Sequence, residues 1–134
     1  MRRLFLTGGL LASAALSGCS DKPQIACSPS RSHWSPPEEM GPEAVYNTLT
    51  LDRNGMAYWN GSPVDDAVLD RMLKATRRFD PIPQLVLQTE MGMPCARLEA
   101  VRDKIDNVLD CRRNGRVCSE GERTPAPMPA QPRS

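Results

Sequence analysis

Apolar and polar residues alternate from Val45 to Leu51. Val45, Asn47, Leu49 and Leu51 fall on one face, and Tyr46, Thr48 and Thr50 on the other. A period of two predicts a strand. Asp52-Arg53-Asn54-Gly55 follows as a turn, with Asn54-Gly55 suited to positive φ. Met56 to Trp59 is then a second strand, and Asn60-Gly61 ends the hairpin. The period now changes. Val68, Leu69, Met72, Leu73 and Phe79 recur at helical spacing, while Asp70, Arg71, Lys74, Arg77 and Arg78 point outward. Asp65 is placed to cap this helix near Asp66. The arginines of its last turn suit the helix dipole, and Asp80-Pro81 stops it. Leu85-Val86-Leu87 is short and wholly apolar, as a central strand is. Pro94 opens a second helix, whose stripe is Leu98, Val101, Ile105, Val108 and Leu109. Asn114-Gly115 is a left-handed stop, and Arg116 to Ser119 a last strand.

The predicted order is β-β-α-β-α-β. Each helix links two strands, so right-handed crossovers place both helices on one face of a mixed four-stranded sheet. The fold class is α+β, a two-layer sandwich over residues 45–122. The flanks differ in composition. Most of the 13 prolines lie outside this core. Residues 19–44 read as a flexible tether with Pro23, Pro29, Pro36, Pro37 and Pro42 among Ser, Glu and Gly. Within it, Trp34 and Cys27 point to some packing on the domain. Residues 123–134 form a Pro/Ala tail that cannot build a core.

The first eighteen residues have a different logic. Arg2 and Arg3 precede an apolar run from Leu4 to Leu16, the length of a signal-peptide core and too short for a permanent span. Leu16-Ser17-Gly18-Cys19 then resembles the bacterial lipobox, in which the cysteine takes a diacylglycerol and becomes the new N-terminus. This implies a lipoprotein carrying palmitate-type chains on Cys19, in contact with membrane lipid. At about 0.8 kcal/mol per buried methylene, several chains anchor it durably. Ser20 after the cysteine leans towards the outer membrane rather than the inner, with the domain in the periplasm. The 17 basic residues less Arg2 and Arg3 leave 15 against 16 acidic ones, a net charge of −1 for the mature chain. Such a balance does not invite nucleic acid.

Of five cysteines, acylation of Cys19 would leave four. An even number in an exported chain suggests disulfides, with three possible connectivities that sequence alone does not choose between. We expect Cys111–Cys118, closing a short loop between a helix end and the next strand, and Cys27–Cys95, stapling the arm to the domain. No CxxC occurs and His33 is the only histidine, so neither a metal nor another cofactor is expected.

The phrase Leu49-Thr50-Leu51-Asp52-Arg53-Asn54-Gly55, followed by Trp59-Asn60-Gly61-Ser62-Pro63-Val64, resembles the opening hairpin of the periplasmic domain of the ExbD/TolR biopolymer transport family. Leu87-Gln88-Thr89-Glu90 with Met93-Pro94 is similar to that family's strand exit into the second helix. Glu90 takes the acidic place and Cys95 the aromatic one. The likeness covers about residues 46 to 119. Family members carry an N-terminal transmembrane helix with an aspartate that takes part in proton conduction. Neither is found in this sequence, and Asp21 lies outside any span, so motor chemistry is not expected to carry over. What the resemblance implies is an exported module that forms a homodimer and meets envelope proteins or peptidoglycan.

Candidate chemistry is sparse. Asp65 and Asp66 are explained by helix capping. His33 sits in a Pro-rich arm without an activated nucleophile at recognisable spacing, and Ser28, Ser30, Ser32 and Ser35 lack the GxSxG context. Met56, Met91 and Met93 suit packing better than a soft-metal site. Cys95, near a helix N-terminus, would have a lowered thiol pKa if free. Arg112, Arg113 and Arg116 form a basic run able to meet an acidic partner. The sequence therefore predicts a binding or adaptor module rather than an enzyme, with a structural tether to peptidoglycan as the other reading.

Overall fold

Leu49 and Leu51 lie on the same side of β1 (Tyr46–Leu51), and both are fully buried. The computed structural model describes residues 27–37 and 45–121. The expected signal peptide, Cys19 and the Pro/Ala tail fall outside those residues. β1 runs antiparallel to β2 (Ala57–Trp59) and parallel to β4 (Gln84–Thr89), which in turn runs parallel to β5 (Cys118–Glu120). One row across the sheet is Trp59, Leu49, Leu87 and Glu120, by register. Strand side chains alternate, so all four point to one face. Three are apolar and join the core; the fourth is a carboxylate.

That face is covered by α1 (Asp66–Arg77) and α2 (Cys95–Leu109). Leu69 and Leu73 of α1 pack in one cluster with Leu98, Val101, Ile105 and Leu109 of α2 and with the inward strand residues. The fold is a two-layer α+β sandwich with an open mixed sheet. Asp65 caps α1 as its sequence suggests, accepting from the Val68 amide at 2.7 Å.

The sheet has five strands, not four, in the order β3-β2-β1-β4-β5. The additional strand is β3 (Ser62–Val64), paired antiparallel with β2. Asn60-Gly61 does not end the hairpin; it makes a second one. Both residues take positive φ, 47° and 86°, which matches the two-residue turn whose twist suits paired strands. Pro63 is accommodated because β3 lies at the sheet edge, where a missing N–H is tolerated.

Three further expectations change. Phe79 lies beyond the end of α1 and is 62% exposed, and Met72 also faces out. Thr76 takes the buried place instead, with its hydroxyl donating to the Met72 carbonyl at 2.9 Å. The left-handed residue after α2 is Asp110, at φ 55° and ψ 53°, and not Asn114-Gly115. Asn114 acts through its side chain, whose amide donates to the Leu109 carbonyl at 3.2 Å. A 3-10 turn then occupies Gly115–Val117, so β5 begins two residues later than expected, at Cys118.

Residues 27–37, part of the expected tether, lie fixed along α2. Trp34 is buried in the main core. Ser35 bridges to Ser119 in parallel register, and its amide donates to the Cys118 carbonyl at 2.9 Å, covering the outer edge of β5. Two disulfides are present, Cys27–Cys95 and Cys111–Cys118. The first spans 68 residues of sequence. A cross-link of that span removes about 4 kcal/mol of unfolded-state entropy. The Cys27→Ser/Cys95→Ser protein should therefore unfold at clearly lower urea concentration. An unchanged midpoint would show that the side-chain contacts alone hold the arm.

Candidate functional site

The carboxyl ends of β4 and β5 and the amino end of α2 meet at one end of the molecule, and the arm crosses there. Between them opens a crevice of about 600 Å3, lined by Ser28, Glu90, Met93, Leu98, Arg102 and Glu120 among others. Crevices outside the carboxyl ends of parallel strands are where open sheets bind ligands.

Its floor is an ion network. Arg102 stands in the apolar stripe of α2 between Val101 and Ile105 and is only 1% exposed. Glu120 arrives opposite it because the register turns its side chain towards the helices. Arg102 Nε and Nη2 donate to the two Glu120 oxygens at 2.8 and 2.5 Å. Nη1 donates to Glu99 Oε1 at 2.6 Å and to Ser28 Oγ at 3.1 Å, and Nη2 also reaches the Ser28 carbonyl at 3.1 Å. A guanidinium has five N–H donors, so every one is used. Burial works against the Arg102 charge, but the bonds and charges of Glu120 and Glu99 outweigh it, and its pKa is raised. A free anion in the crevice would find no spare Arg102 donor.

The arm continues along the same helix. Ser28 Oγ donates to Glu99 Oε1 at 2.5 Å, and Arg31 donates to Asp103 at 2.5 Å and pairs with Glu99 at 3.0 Å. Two turns further on, Asp106 Oδ1 receives Trp34 Nε1 at 2.7 Å and lies 2.8 Å from His33 Nε2. An ionised carboxylate only accepts, so that His33 nitrogen carries a proton. Gly115 permits the close approach of the arm to the 3-10 turn: a Cβ there would stand 3.1 Å from the His33 carbonyl oxygen.

The remaining candidates separate. Ser28 belongs to the Arg102 network and Ser35 to the β5 edge, donating to the Gly115 carbonyl at 3.1 Å. His33 is engaged with Asp106, away from both. Asp66 forms a two-pronged pair with Arg97, at 2.7 and 3.2 Å. Of the methionines, Met93 is buried while Met56 and Met91 are exposed. Cys95 is held in its disulfide. Among the described residues no group of three or more metal-ligand side chains occurs, and no helix is long and apolar enough to cross a membrane.

A second, shallower groove of about 350 Å3 lies on the helix-free face, lined by Thr50, Asp52, Asn54, Tyr58 and Glu90. The Asp52 charge, with burial and the hydrogen bond to Asp52 at 3.3 Å, raises the Tyr58 pKa above its ordinary 10.0. Asp52 Oδ1 is already occupied by the Asn54 and Met56 amides. Neither the network nor the arm was expected from sequence in this form. The signal for the network was Arg102 itself, a charge inside the stripe Leu98, Val101, Ile105.

No protein-family model matches the chain, and no curated protein sequence matches it.

Removing one partner from a buried ion pair leaves the others uncompensated, which costs about 3–5 kcal/mol. Arg102→Met should destabilise by that order in urea unfolding. The double variant Arg102→Met/Glu120→Met should recover part of the loss. Full additivity of the two single changes would show that Arg102 and Glu120 do not act as a pair. Acid adds an independent check. The Ser28 hydrogen bond, with Arg102 and Arg31, holds Glu99 below its ordinary value, and the Arg97 bond does the same for Asp66. Lowered folded-state pKa values stabilise above the unfolded ones, and that stability disappears as pH falls through the folded ones. The thermal midpoint should therefore hold near neutrality and drop below about pH 4, and less steeply in Glu99→Gln.

Proposed function

We propose that this protein is a lipid-anchored envelope adaptor. Acyl chains on Cys19 hold it to a membrane, and its ExbD/TolR-like domain binds a protein partner without conducting protons. The observation that carries the reading is the position of Cys27. Eight residue steps separate it from Cys19. Its disulfide to Cys95 and the Ser28 and Arg31 contacts bind the chain to α2 from that point on. At no more than about 3.5 Å per residue, an acylated Cys19 lies within about 28 Å of the domain. A short leash suits a module that meets partners at a membrane surface.

The sheet edges restrict how such a partner would be met. β3 is three residues long and carries Pro63, which removes a donor at its centre. The outer side of β5 is bridged by Ser35. Both features discourage addition of a foreign strand, so recognition is assigned to side-chain surfaces.

Palmitate labelling tests the anchor. The label should enter the wild-type protein and be absent from Cys19→Ala, which should leave the membrane fraction. Label retained in Cys19→Ala would sink the lipoprotein reading. Crosslinking in intact cells, followed by pull-down of the tagged protein, tests the adaptor role. Recovery of motor subunits or a transport receptor supports it. Recovery of cell-wall fragments alone, with sedimentation on purified walls, moves the protein to the peptidoglycan-tether class.

A further inference from the structure

The basic run at Arg112, Arg113 and Arg116 is not alone in space. The two helices both run antiparallel to β4, so their carboxyl ends lie at the same end of the molecule, where β1 and β4 begin. Arg77, Arg78 and Phe79 close α1 there. Gln84, which opens β4 at this end five residues after Phe79, donates to the Arg116 carbonyl at 3.1 Å. This end therefore gathers five arginines against Asp80 and Asp110, a local surplus of three positive charges on a chain that is otherwise nearly balanced. All five arginines are exposed. Arg113 touches Asp110 at 3.7 Å, while Arg77, Arg78, Arg112 and Arg116 have no side-chain partner among the described residues. The helix dipole accounts for Arg77 in the last turn of α1, but Arg112, Arg113 and Arg116 lie past the end of α2. Among these cations stands Phe79, a large apolar side chain facing water.

We propose that this end is a docking surface for an acidic peptide segment of a partner protein, one that alternates carboxylates with apolar residues. Arginine forks bind carboxylates in two-pronged fashion, and an apolar residue of the same segment covers Phe79. A phosphate polymer satisfies the arginines but leaves Phe79 in water, so the mixed character favours protein. The location agrees with the chain's attachment. Cys27 fixes the leash at the amino end of α2, and the arginines stand at the other end, about 22 Å away along a 15-residue helix. This assignment deepens the adaptor reading and rests on it for its biological meaning, but its test does not require the lipid.

The full mature chain carrying Cys19→Ser is titrated with a fluorescent peptide of alternating glutamate and leucine, and with the glutamine counterpart. The glutamate peptide should bind and the glutamine peptide should bind far more weakly. Arg112→Glu/Arg116→Glu should weaken binding at least about tenfold, and Phe79→Ser several-fold, with thermal midpoints little changed because these side chains are exposed. Arg53→Glu, at the opposite end, should leave it intact. Equal loss in Arg53→Glu, absence of binding by the parent chain, or tighter binding of inorganic polyphosphate than of the peptide would each overturn the proposal. None of these outcomes bears on anchoring, which palmitate labelling decides separately.

Discussion

Arg102 is the constraint around which the domain is arranged. A buried guanidinium is tolerable only when its charge is matched and its donors are filled. Here the matching groups come from three places: Glu99 from its own helix, Glu120 from the last strand and Ser28 from the arm. The bond to Glu120 ties α2 to the sheet at its edge, where the apolar row Trp59, Leu49 and Leu87 runs out. The bonds to Ser28 bring the arm into the domain. Replacing any of the three leaves the cation short of partners, so one residue makes the positions of three elements depend on one another.

The arm follows from that dependence. Its residues are small, polar or proline, and they bury little apart from Trp34 and Pro37. Carboxylates at successive turns of α2, Glu99, Asp103 and Asp106, meet Ser28, Arg31, His33 and Trp34 in the same order. Exposed pairs of this kind contribute little singly. A disulfide at one end and a buried indole at the other give the row a fixed register, which is why the weak contacts can act together. The same arm covers the edge of β5, and the foreign-strand problem is managed at both margins of the sheet by different means.

The two ends of the molecule consequently differ in chemistry. At the end where α2 begins, the charges are paired internally and the Cys27–Cys95 disulfide fixes the arm. At the end where both helices finish, Arg77, Arg78, Arg112 and Arg116 have no side-chain partner among the described residues, and Phe79 is exposed.

Elements whose pattern is local were legible in the chain alone. A period of two marked β1, helical spacing marked α1 and α2, and three adjacent apolar residues marked β4. Asp65 showed the cap, and the four cysteines other than Cys19 pointed to two bridges. Local signals failed where a residue had two uses. Asn60-Gly61 ends a strand or turns a hairpin, and only the free edge of β2 settles which, with Pro63 harmless on the outside. Phe79 fits a helical stripe, yet the helix stops two residues before it. Arg102 was legible as a charge within an apolar stripe, with Glu99 three residues before it, but Glu120 and Ser28 were not, because they lie 18 and 74 residues away in the chain. Burial and long-range register decide whether a charge is matched, and both arise only when the layers meet. The docking of the arm and the gathering of Arg77 and Arg78 with Arg112, Arg113 and Arg116 were therefore decisions of the tertiary structure.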